Sequence, residues 1–236
     1  MKIALIGFGK MGREIDSIAR EQGETITRVF DSRHPIKPEA LADVDICIEF
    51  STPEAVVSNI RAAIEARKDI VVGTTGWDAH LPEIRNTVKE SGLLYSTNFS
   101  VGMNIFFRVV RRAAELMRNA QDYDPYIQEV HHRQKIDSPS GTSLSLARIL
   151  LSQIDRKKGI LAKPPEGKIP PEMLHISSTR AGVNPGMHTV GFDSEGDLIE
   201  LRHAAKSRRG FAQGTLIAAR WLRGKKGVYT MDDVEM

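Results

Sequence analysis

The first hundred residues alternate between short β-rich runs and amphipathic helical runs, and this order limits the possible folds more than any other feature. Parallel strands cannot be joined by tight turns, so each pair needs a crossover, which is usually a helix. The alternation therefore predicts a doubly wound parallel sheet. The predicted strands cover residues 2–6, 25–30, 44–50, 70–72 and 93–96, and the predicted helices cover 10–22, a segment from Pro53 behind a Ser51–Thr52 cap, and 81–90.

Beyond about residue 100 the pattern becomes that of an α+β domain. We therefore expect a Rossmann-type α/β domain over residues 1–102, completed by 210–236, and an α+β substrate and oligomerisation domain with a mostly antiparallel sheet over 103–209. Hinges near residues 100 and 209 would let the two domains close and exclude water. The predicted elements of the second part are a helix over 101–119, a strand over 126–131, a helix after residue 140, antiparallel strands within 174–206 with turns at 184–186 and 194–197, an exposed proline- and lysine-rich loop over 156–171, and a last helix over 212–222.

Composition and charge exclude several classes of protein. With 27% charged and 41% hydrophobic residues the chain is typical of soluble globular proteins, and no run approaches the ~18 apolar residues of a membrane span. The apolar run at the N-terminus is too short for a signal peptide, so we expect a cytoplasmic protein. The single cysteine, Cys47, is expected to be a buried, inert thiol, which leaves no disulfide framework. The 33 basic and 30 acidic residues nearly balance and form no basic stripe, so we expect a small anion as ligand and neither nucleic acid nor a membrane as partner.

A glycine-rich turn joins the first predicted strand to the first predicted helix. In such a turn the first glycine allows the tight bend, the second lets the backbone approach a pyrophosphate, and the third lets helix and strand pack closely. The helix N-terminus then presents free N–H groups and a positive dipole end to the phosphates. We therefore expect a nicotinamide dinucleotide here, bound by Gly7, Phe8, Gly9, Lys10, Met11 and Gly12.

Asp31, at the end of the second predicted strand, lies where a carboxylate would bind the ribose hydroxyls of the adenosine. Its charge would repel a 2′-phosphate and so favours NADH. Lys10, Arg33 and Lys37 could neutralise that phosphate and so favour NADPH. The sequence leaves both cofactors open and leans to NADH.

Two further loops follow the fourth and fifth predicted strands, at the carboxyl ends where ligands of parallel sheets bind. Their small and hydroxyl-bearing residues would let a nicotinamide ring and its ribose approach the backbone. The candidate cofactor residues are Gly73, Thr74 and Thr75 in the first loop and Thr97, Asn98, Phe99 and Ser100 in the second.

In the second part of the chain, a Pro-Ser-Gly-Thr turn opens an apolar helix. At a helix start the first backbone N–H groups have no partner within the helix and can bind an anion. We expect unpaired N–H groups at Ser140, Gly141 and Thr142 to hold a carboxylate of the substrate.

Titratable side chains precede that turn. Lys135 would supply a point charge for the carboxylate or a proton for the reaction. His131 and His132 are candidates for proton transfer, because imidazole exchanges protons near neutral pH. No metal site is expected, since adjacent side chains on an extended strand point in opposite directions.

These motifs resemble those of the dihydrodipicolinate reductase family over essentially the whole chain. The most specific is the block His-His-x-x-Lys-x-Asp-x-Pro-Ser-Gly-Thr at residues 131–142, whereas many families share the glycine-rich turn. Further matches are the segments 72–76, 98–102 and 186–190 and a Phe-Ala-x-Gly helix that begins at Phe211.

The resemblance implies a homotetrameric NAD(P)H-dependent oxidoreductase of lysine and diaminopimelate biosynthesis. Its reaction would be the reduction of a cyclic dicarboxylate, 4-hydroxy-tetrahydrodipicolinate (dihydrodipicolinate), to tetrahydrodipicolinate, and the second-domain sheet would build the oligomer. His131 matches the family's proton donor and acceptor, and Lys135 matches its second proton donor. The substrate contacts of the family match His132, Ser140, Gly141 and Thr142, and its cofactor contacts match the candidate cofactor residues given above.

The chain departs from the family pattern at the adenosine end of the cofactor site. Lys10 stands where the family usually has arginine, and only 13 residues separate Asp31 from Asp45. Two other functions stay open. A Rossmann dehydrogenase acting on aspartate or homoserine would not need the histidine block, and a nucleotide-sensing or scaffold protein would not need the polar residues of the second domain.

Overall fold

The computed structural model describes residues 1–163 and 166–235. Its backbone divides into two compact units, Met1–Val101 together with the segment from Arg208 onward, and Gly102–Ser207. Pro164 and Pro165, in the loop predicted to be exposed, and Met236 lie outside the described residues.

The elements in chain order are β1 (Lys2–Ile6), α1 (Lys10–Glu21), β2 (Thr25–Phe30), β3 (Ile46–Glu49), α2 (Val56–Glu65), β4 (Asp69–Val72), α3 (Leu81–Thr87), β5 (Gly92–Tyr95), α4 (Val101–Met117), β6 (Asp124–His131), α5 (Gly141–Gln153), β7 (Gly159–Leu161), β8 (Met173–Arg180), β9 (Met187–Asp193), β10 (Leu198–Ala204), α6 (Arg209–Leu222) and β11 (Gly227–Thr230).

The first unit contains a parallel sheet in the order β11-β5-β4-β3-β1-β2, which confirms the predicted doubly wound fold. From β1 the chain adds β2 on one side of the sheet and β3 and β4 on the other, so the order of the strands switches between β1 and β3. Ligands of such sheets bind beside the carboxyl ends of the strands at this switch point. The strand β11 was not predicted, because it has four residues and follows a glycine- and lysine-rich turn without an apolar run.

Helices cover both faces of this sheet. On one face α1 and α6 pack together, with Ile15, Ile18 and Leu216 in a common core. On the other face α2 and α3 contribute Ile60 and Ile84. Cys47 is buried, as predicted, and burial raises the pKa of its thiol to about 12, which keeps the thiol protonated at neutral pH.

The start of α2 differs from the sequence prediction. The helix begins at Val56, not at Pro53, because residues before it form a turn in which the Thr52 carbonyl accepts the N–H groups of Ala55 and Val56, each at 3.1 Å. The Ser51 hydroxyl does not cap the helix, since it donates to the Glu49 carboxyl.

The second unit contains a mixed sheet in the order β10-β9-β6-β8-β7. Antiparallel pairs join β10, β9 and β6, and parallel pairs join β6, β8 and β7. The strands predicted within residues 174–206 are present and each runs antiparallel to the next, but β8 and β9 are not neighbours, because β6 lies between them. The helices α4 and α5 pack on this sheet through a core that includes Phe106, Val110, Leu146, Leu150 and Phe192.

The loop predicted to be exposed over 156–171 is partly ordered by hydrogen bonds. It contains β7, and the Lys157 ammonium is buried and donates to the carbonyls of Pro171 at 2.7 Å and Met173 at 2.9 Å. The sequence pattern missed this because a lysine normally indicates a solvated position. In the part of the chain that the structure describes, every helix is too short or too polar to cross a membrane.

Candidate active site

The glycine-rich turn is crowded at two glycines and open at the third. Gly7 has φ +93°, and a side chain there would overlap the carbonyl oxygen of Phe50. A side chain at Gly12 would overlap the carbonyl of Gly7. At Gly9 no atom lies within 4 Å of the place a side chain would take, and this residue precedes α1 without a side-chain cap. An open backbone at a helix N-terminus is what a pyrophosphate needs, so these residues fit a bound dinucleotide.

The remaining residues of the turn lie around this opening. Lys10 is exposed at the first position of α1, and Met11 packs against the core between helix and sheet. Phe8 is half-buried, with the Arg13 guanidinium 5.9 Å from its ring centre.

Asp31 follows β2 and shapes the turn beside it. Its Oδ1 accepts the backbone N–H groups of Arg33 and His34, both at 2.9 Å, and lies 3.2 Å from Nδ1 of the His34 ring. The backbone hydrogen bond from His34 is the largest of the effects that hold the pKa of Asp31 below its usual range. The Asp31 carboxylate is therefore ionised at neutral pH.

The two loops that follow β4 and β5 meet through the ring of Phe50. A side chain at Gly73 would overlap that ring, and the Phe50 and Phe99 ring centres lie 5.9 Å apart. Thr74 accepts the backbone N–H of Ser51 at 2.9 Å and so ties the β4 loop to the β3 loop.

The loop after β5 is shaped by its own side chains. The Ser96 hydroxyl accepts the N–H of Asn98 at 3.1 Å, and Asn98 Oδ1 accepts the N–H of Ser100 at 2.9 Å. Both loops line one cavity, so the structure brings the two predicted cofactor loops to the same edge of the sheet. The cavity is lined by Thr74, Thr75, Trp77, Asp78, Tyr95, Ser96 and Thr97.

Glu49, which the sequence patterns did not single out, is a fully buried carboxyl at the carboxyl end of β3. Its Oε1 accepts the backbone N–H of Ser51 at 3.1 Å, the Ser51 hydroxyl and the Asn59 amide at 3.2 Å. Oε2 has no hydrogen-bond partner among the described residues, and burial raises the pKa of this group. The only signal in the sequence was one acidic residue at the end of an apolar strand.

In the second unit, β6 carries the predicted catalytic histidine at its end. Glu129 and His131 lie two residues apart on this strand and are both buried. His132 is half-exposed, and its backbone N–H donates to the carbonyl of Asn184 at 2.8 Å. The two adjacent histidines therefore have different surroundings, and only His131 joins the buried cluster.

Glu129 is the centre of that cluster. Its carboxylate accepts the backbone N–H of Ser140 at 3.1 and 3.2 Å, the hydroxyls of Ser143 and Ser178 at 2.7 Å each, and the Arg180 guanidinium at 2.7 Å. Burial alone would raise the pKa of Glu129, but the hydrogen bonds to the charged form outweigh it and hold the pKa far below the usual range. The carboxylate is ionised at neutral pH.

The start of α5 corrects one sequence prediction. Ser140 does not offer an unpaired N–H group, because its N–H donates to Glu129 and its hydroxyl caps the helix by accepting the N–H of Ser143 at 3.2 Å. Gly141 has no atom within 4 Å of the place a side chain would take, so the backbone is approachable there. Thr142 follows it, half-buried, in the first turn.

Lys135 lies in the loop after β6 and pairs with Asp137. Its Nζ is 2.8 Å from Oδ1 and 3.0 Å from Oδ2 of that carboxylate. Burial would raise the pKa of Asp137, but Lys135 and the backbone of Gly141 hold it below the usual range. The Lys135 ammonium, which was predicted to bind a carboxylate of the substrate, is therefore already paired with the Asp137 carboxylate.

His188 on β9 was not singled out from the sequence, yet it completes the buried cluster. Its Nε2 lies 3.2 Å from the Ser140 hydroxyl and 3.6 Å from Oε2 of Glu129. The His131 and His188 rings meet edge to face with centres 5.0 Å apart. Burial lowers the pKa of His131 to about 4, and the charge of His188 adds to this effect. The pairing of β6 with β9 brings the residues together, which no local pattern indicates.

Glu129, His131 and His188 also offer metal-ligating atoms within 4.8 Å of one another, a grouping that the sequence did not suggest. A cation would have to share the carboxylate with the Arg180 guanidinium, which is itself positive and only 2.7 Å away. Serine donors already use the same two oxygens. The cluster therefore suits a proton better than a metal ion.

Comparisons with known proteins agree with this picture. The family model described as "Dihydrodipicolinate reductase, N-terminus" matches residues 1–99, and "Dihydrodipicolinate reductase, C-terminus" matches residues 102–234. The 4-hydroxy-tetrahydrodipicolinate reductase of Christiangramia forsetii is 40% identical over 239 residues, covering 99% of this chain and 97% of that protein. The protein of the same name from Archaeoglobus fulgidus is 36% identical over 258 residues, covering 99% of each. The solved structure of dipicolinate-bound dihydrodipicolinate reductase from Paenisporosarcina sp. TG-14 shares the fold, with a TM-score of 0.80 at 22% identity over 98% of this chain and 97% of that one.

Proposed function

Because the chain belongs to the dihydrodipicolinate reductase family, we propose that it reduces 4-hydroxy-tetrahydrodipicolinate to tetrahydrodipicolinate in lysine and diaminopimelate biosynthesis. The proposal depends on the arrangement of side chains at the end of β6. There Nδ1 of His131 lies 3.6 Å from Oε2 of the buried, ionised Glu129, and the charge of Lys135 acts on the His131 ring. A buried proton donor beside a cationic group suits an anionic substrate that must be protonated. NAD(P)H, when bound at the glycine-rich turn, supplies the hydride.

The residues of the second unit take distinct roles in this proposal. Lys135 binds a carboxylate of the substrate once Asp137 releases it, and His131 delivers a proton to the carbon next to the one that accepts the hydride. The approachable backbone at Gly141, together with Thr142 and His132, orients the dicarboxylate. Ser140 keeps the start of α5 and Glu129 in place, since its own polar groups are used within the protein.

We infer that NADH is the preferred cofactor. The ionised Asp31 would accept hydrogen bonds from the ribose hydroxyls and repel a 2′-phosphate. The exposed Arg33, Lys37 and Lys10 offer the opposing attraction for a phosphate. The other proposed cofactor contacts are Gly7 to Gly12, Gly73 to Thr75 and Thr97 to Ser100.

We also infer a homotetramer built on the sheet of the second unit. β10 is an edge strand of that sheet, with Leu198 49% and Ile199 39% exposed. An edge strand with exposed apolar side chains is a template for pairing with another copy.

The test is oxidation of NADH and of NADPH by the purified protein, with substrate generated in situ by the preceding synthase from pyruvate and aspartate semialdehyde. We expect substrate-dependent oxidation of both cofactors, faster with NADH. Removing the proton donor costs about 10²- to 10⁴-fold in rate, so His131→Gln should lower kcat by that order. Lys135→Ala removes the group that holds the substrate carboxylate and should lower kcat/KM, while cofactor affinity changes little in both variants. Lys168→Ala, an exposed lysine of the 156–171 loop, is the matched control and should behave as wild type. A folded protein that binds NADH but oxidises neither cofactor would contradict the proposal and favour a nucleotide sensor.

A further inference from the structure

A row of polar side chains crosses the sheet of the second unit at the level of Glu129. Strand register places Glu129 on β6 opposite His188 on β9, and His188 opposite His203 on β10. On the other side Glu129 pairs with Ser178 on β8. His131 lies two residues beyond Glu129 on β6 and therefore on the same face of the sheet.

Two histidines of this cluster approach the same carboxylate oxygen. Nδ1 of His131 and Nε2 of His188 each lie 3.6 Å from Oε2 of Glu129, and the ring centres are 5.0 Å apart. The side chains are almost completely buried, so water and salt screen little of the interaction between them. A charge on one ring therefore acts strongly on the other.

The charges around His131 leave room for one further proton at most. His131 faces Glu129 on its own strand, His188 on β9, Arg180 on β8 and Lys135 in the loop after β6. Only Glu129 favours a proton on His131, and Arg180 already contacts that carboxylate at 2.7 Å. Protonating both rings would leave an uncompensated positive charge in a buried place, which is costly.

We propose that His188 sets the acid strength of His131, so that the two histidines act over Glu129 as a single one-proton acid. Because His188 competes for the same proton, His131 holds it less tightly and gives it up more readily. His188 is thus a positioning residue that acts through His131, and the proposal rests on the proposed function. His131 is neutral in the free protein at neutral pH, and the negative charge of a bound dicarboxylate favours its protonation. In the proton-transfer step an N–H bond of the resulting imidazolium breaks, its electron pair stays on the nitrogen, and the proton bonds the carbon next to the one that accepts the hydride.

Gly186 supports this arrangement at the other edge of the His131 ring. A side chain at position 186 would come within 3.0 Å of Nε2 of His131 and within 3.8 Å of the His188 ring. The glycine therefore keeps the nitrogen that does not face Glu129 accessible. This is the nitrogen from which we expect the proton to leave.

Histidine titration by NMR on the ¹⁵N-labelled free protein tests the proposal without any turnover. In His188→Gln the competitor is gone, so the pKa of His131 should rise by about one unit. The limb of the kcat/KM profile that reports protonated His131 should move to higher pH by the same amount. His175→Gln is the control, because His175 lies on β8 opposite Tyr126, five residues before the position opposite His131, and its replacement should leave the His131 titration unchanged. An unchanged His131 pKa in His188→Gln would overturn the proposal.

A measurement on the wild-type protein covers the case in which His188→Gln does not fold. If the two rings share one proton, the ring signals of His131 and His188 must both change in one common step as that proton binds. Signals that change in separate steps would overturn the proposal. Absence of reductase activity would count against the proposed function alone, whereas an active enzyme with an unaltered His131 titration in His188→Gln would count against the role of His188 alone.

Discussion

Glu129 and His131 make the second unit sensitive to acid in two separate pH windows. Burial lowers the pKa of His131 from 6.5 to about 4 in the folded protein, so the unfolded chain binds more protons between these values. The free energy of unfolding therefore falls as the pH drops from 6.5 to 4, by up to ~3 kcal/mol. Glu129 has a lowered pKa, so the stability it contributes is complete above ~4.3 and is lost as the pH falls further.

Urea unfolding between about pH 7 and about pH 4.5 measures the first window. We expect His131→Gln to remove a large part of the loss of stability that the wild type shows there. Burial also lowers the pKa of His203, so this residue accounts for a further part of the loss of stability. If His131→Gln loses stability as steeply as the wild type, His131 is protonated normally in the fold and the first window does not exist.

Asp137 is expected to compete with the substrate for Lys135. Its carboxylate lies 2.8 Å from the Lys135 ammonium, the group proposed to bind the substrate. In Asp137→Asn this charge is gone, and since an exposed ion pair is worth up to ~1 kcal/mol, KM for the substrate should fall about two- to fivefold. Steady-state kinetics, with Asp137→Glu as the charge-preserving control, shows whether Asp137 competes with the substrate for Lys135 or helps to bind the substrate. A higher KM in Asp137→Asn would show that Asp137 helps to build the site.

At the scale of single residues, the sequence indicated His131 and Lys135 through a compact motif, but it did not indicate their partners. Glu129 could have been found, because it precedes His131 by two residues on a predicted strand and so shares its face. His188 and Arg180 lie far away in the sequence and reach Glu129 only through the pairing of β9 and β8 with β6. The N–H of Ser140 was expected to be unpaired because the buried carboxylate that takes it was not anticipated.

At the scale of secondary-structure elements, the glycine-rich turn before α1 contains one glycine that is expected to affect cofactor binding and another that is expected to affect stability. Gly9→Ala adds a methyl group to open space and should leave the thermal stability of the protein nearly unchanged, while it obstructs the approach of the pyrophosphate. Gly12→Ala places the same group against the carbonyl of Gly7 and should lower the stability itself.

Thermal unfolding together with NADH titration by fluorescence checks this contrast. We expect Gly9→Ala to lose at least about tenfold in NADH affinity with little change in Tm, and Gly12→Ala to lose several degrees in Tm. Unchanged NADH affinity in Gly9→Ala would mean that the pyrophosphate does not approach this turn.

Element types were predictable where hydrophobic spacing was strong, as in α1 and in the continuous apolar run of β3. The start of α2 was misplaced because Ser51 reads as a helix cap, whereas its hydroxyl serves Glu49. Strand neighbours in the second sheet were not predictable, since β6 enters between β8 and β9 from a distant part of the chain. β11 escaped notice because four residues are too few to show a periodicity.

For the whole molecule, the exposed apolar residues of β10 predict how it assembles. Leu198→Lys combined with Ile199→Lys places two charges on this edge strand and should convert the proposed tetramer into smaller species. Light scattering after gel filtration measures the mass. Val29→Lys, on the edge strand of the first sheet and 41% exposed, is the matched control and should leave the mass of the protein in solution unchanged. A double variant that keeps the wild-type mass would place the interface elsewhere.

The last helix and strand also determine when the first unit can be completed on the ribosome. α6 shares a core with α1, and β11 pairs with β5, yet both follow the entire second unit in the chain. During translation the second unit can therefore close its sheet first, while β5 remains an unpaired edge beside an uncovered apolar face. We infer that the nascent chain is most prone to aggregation in that interval, and that its rescue depends on the release of the residues after 208.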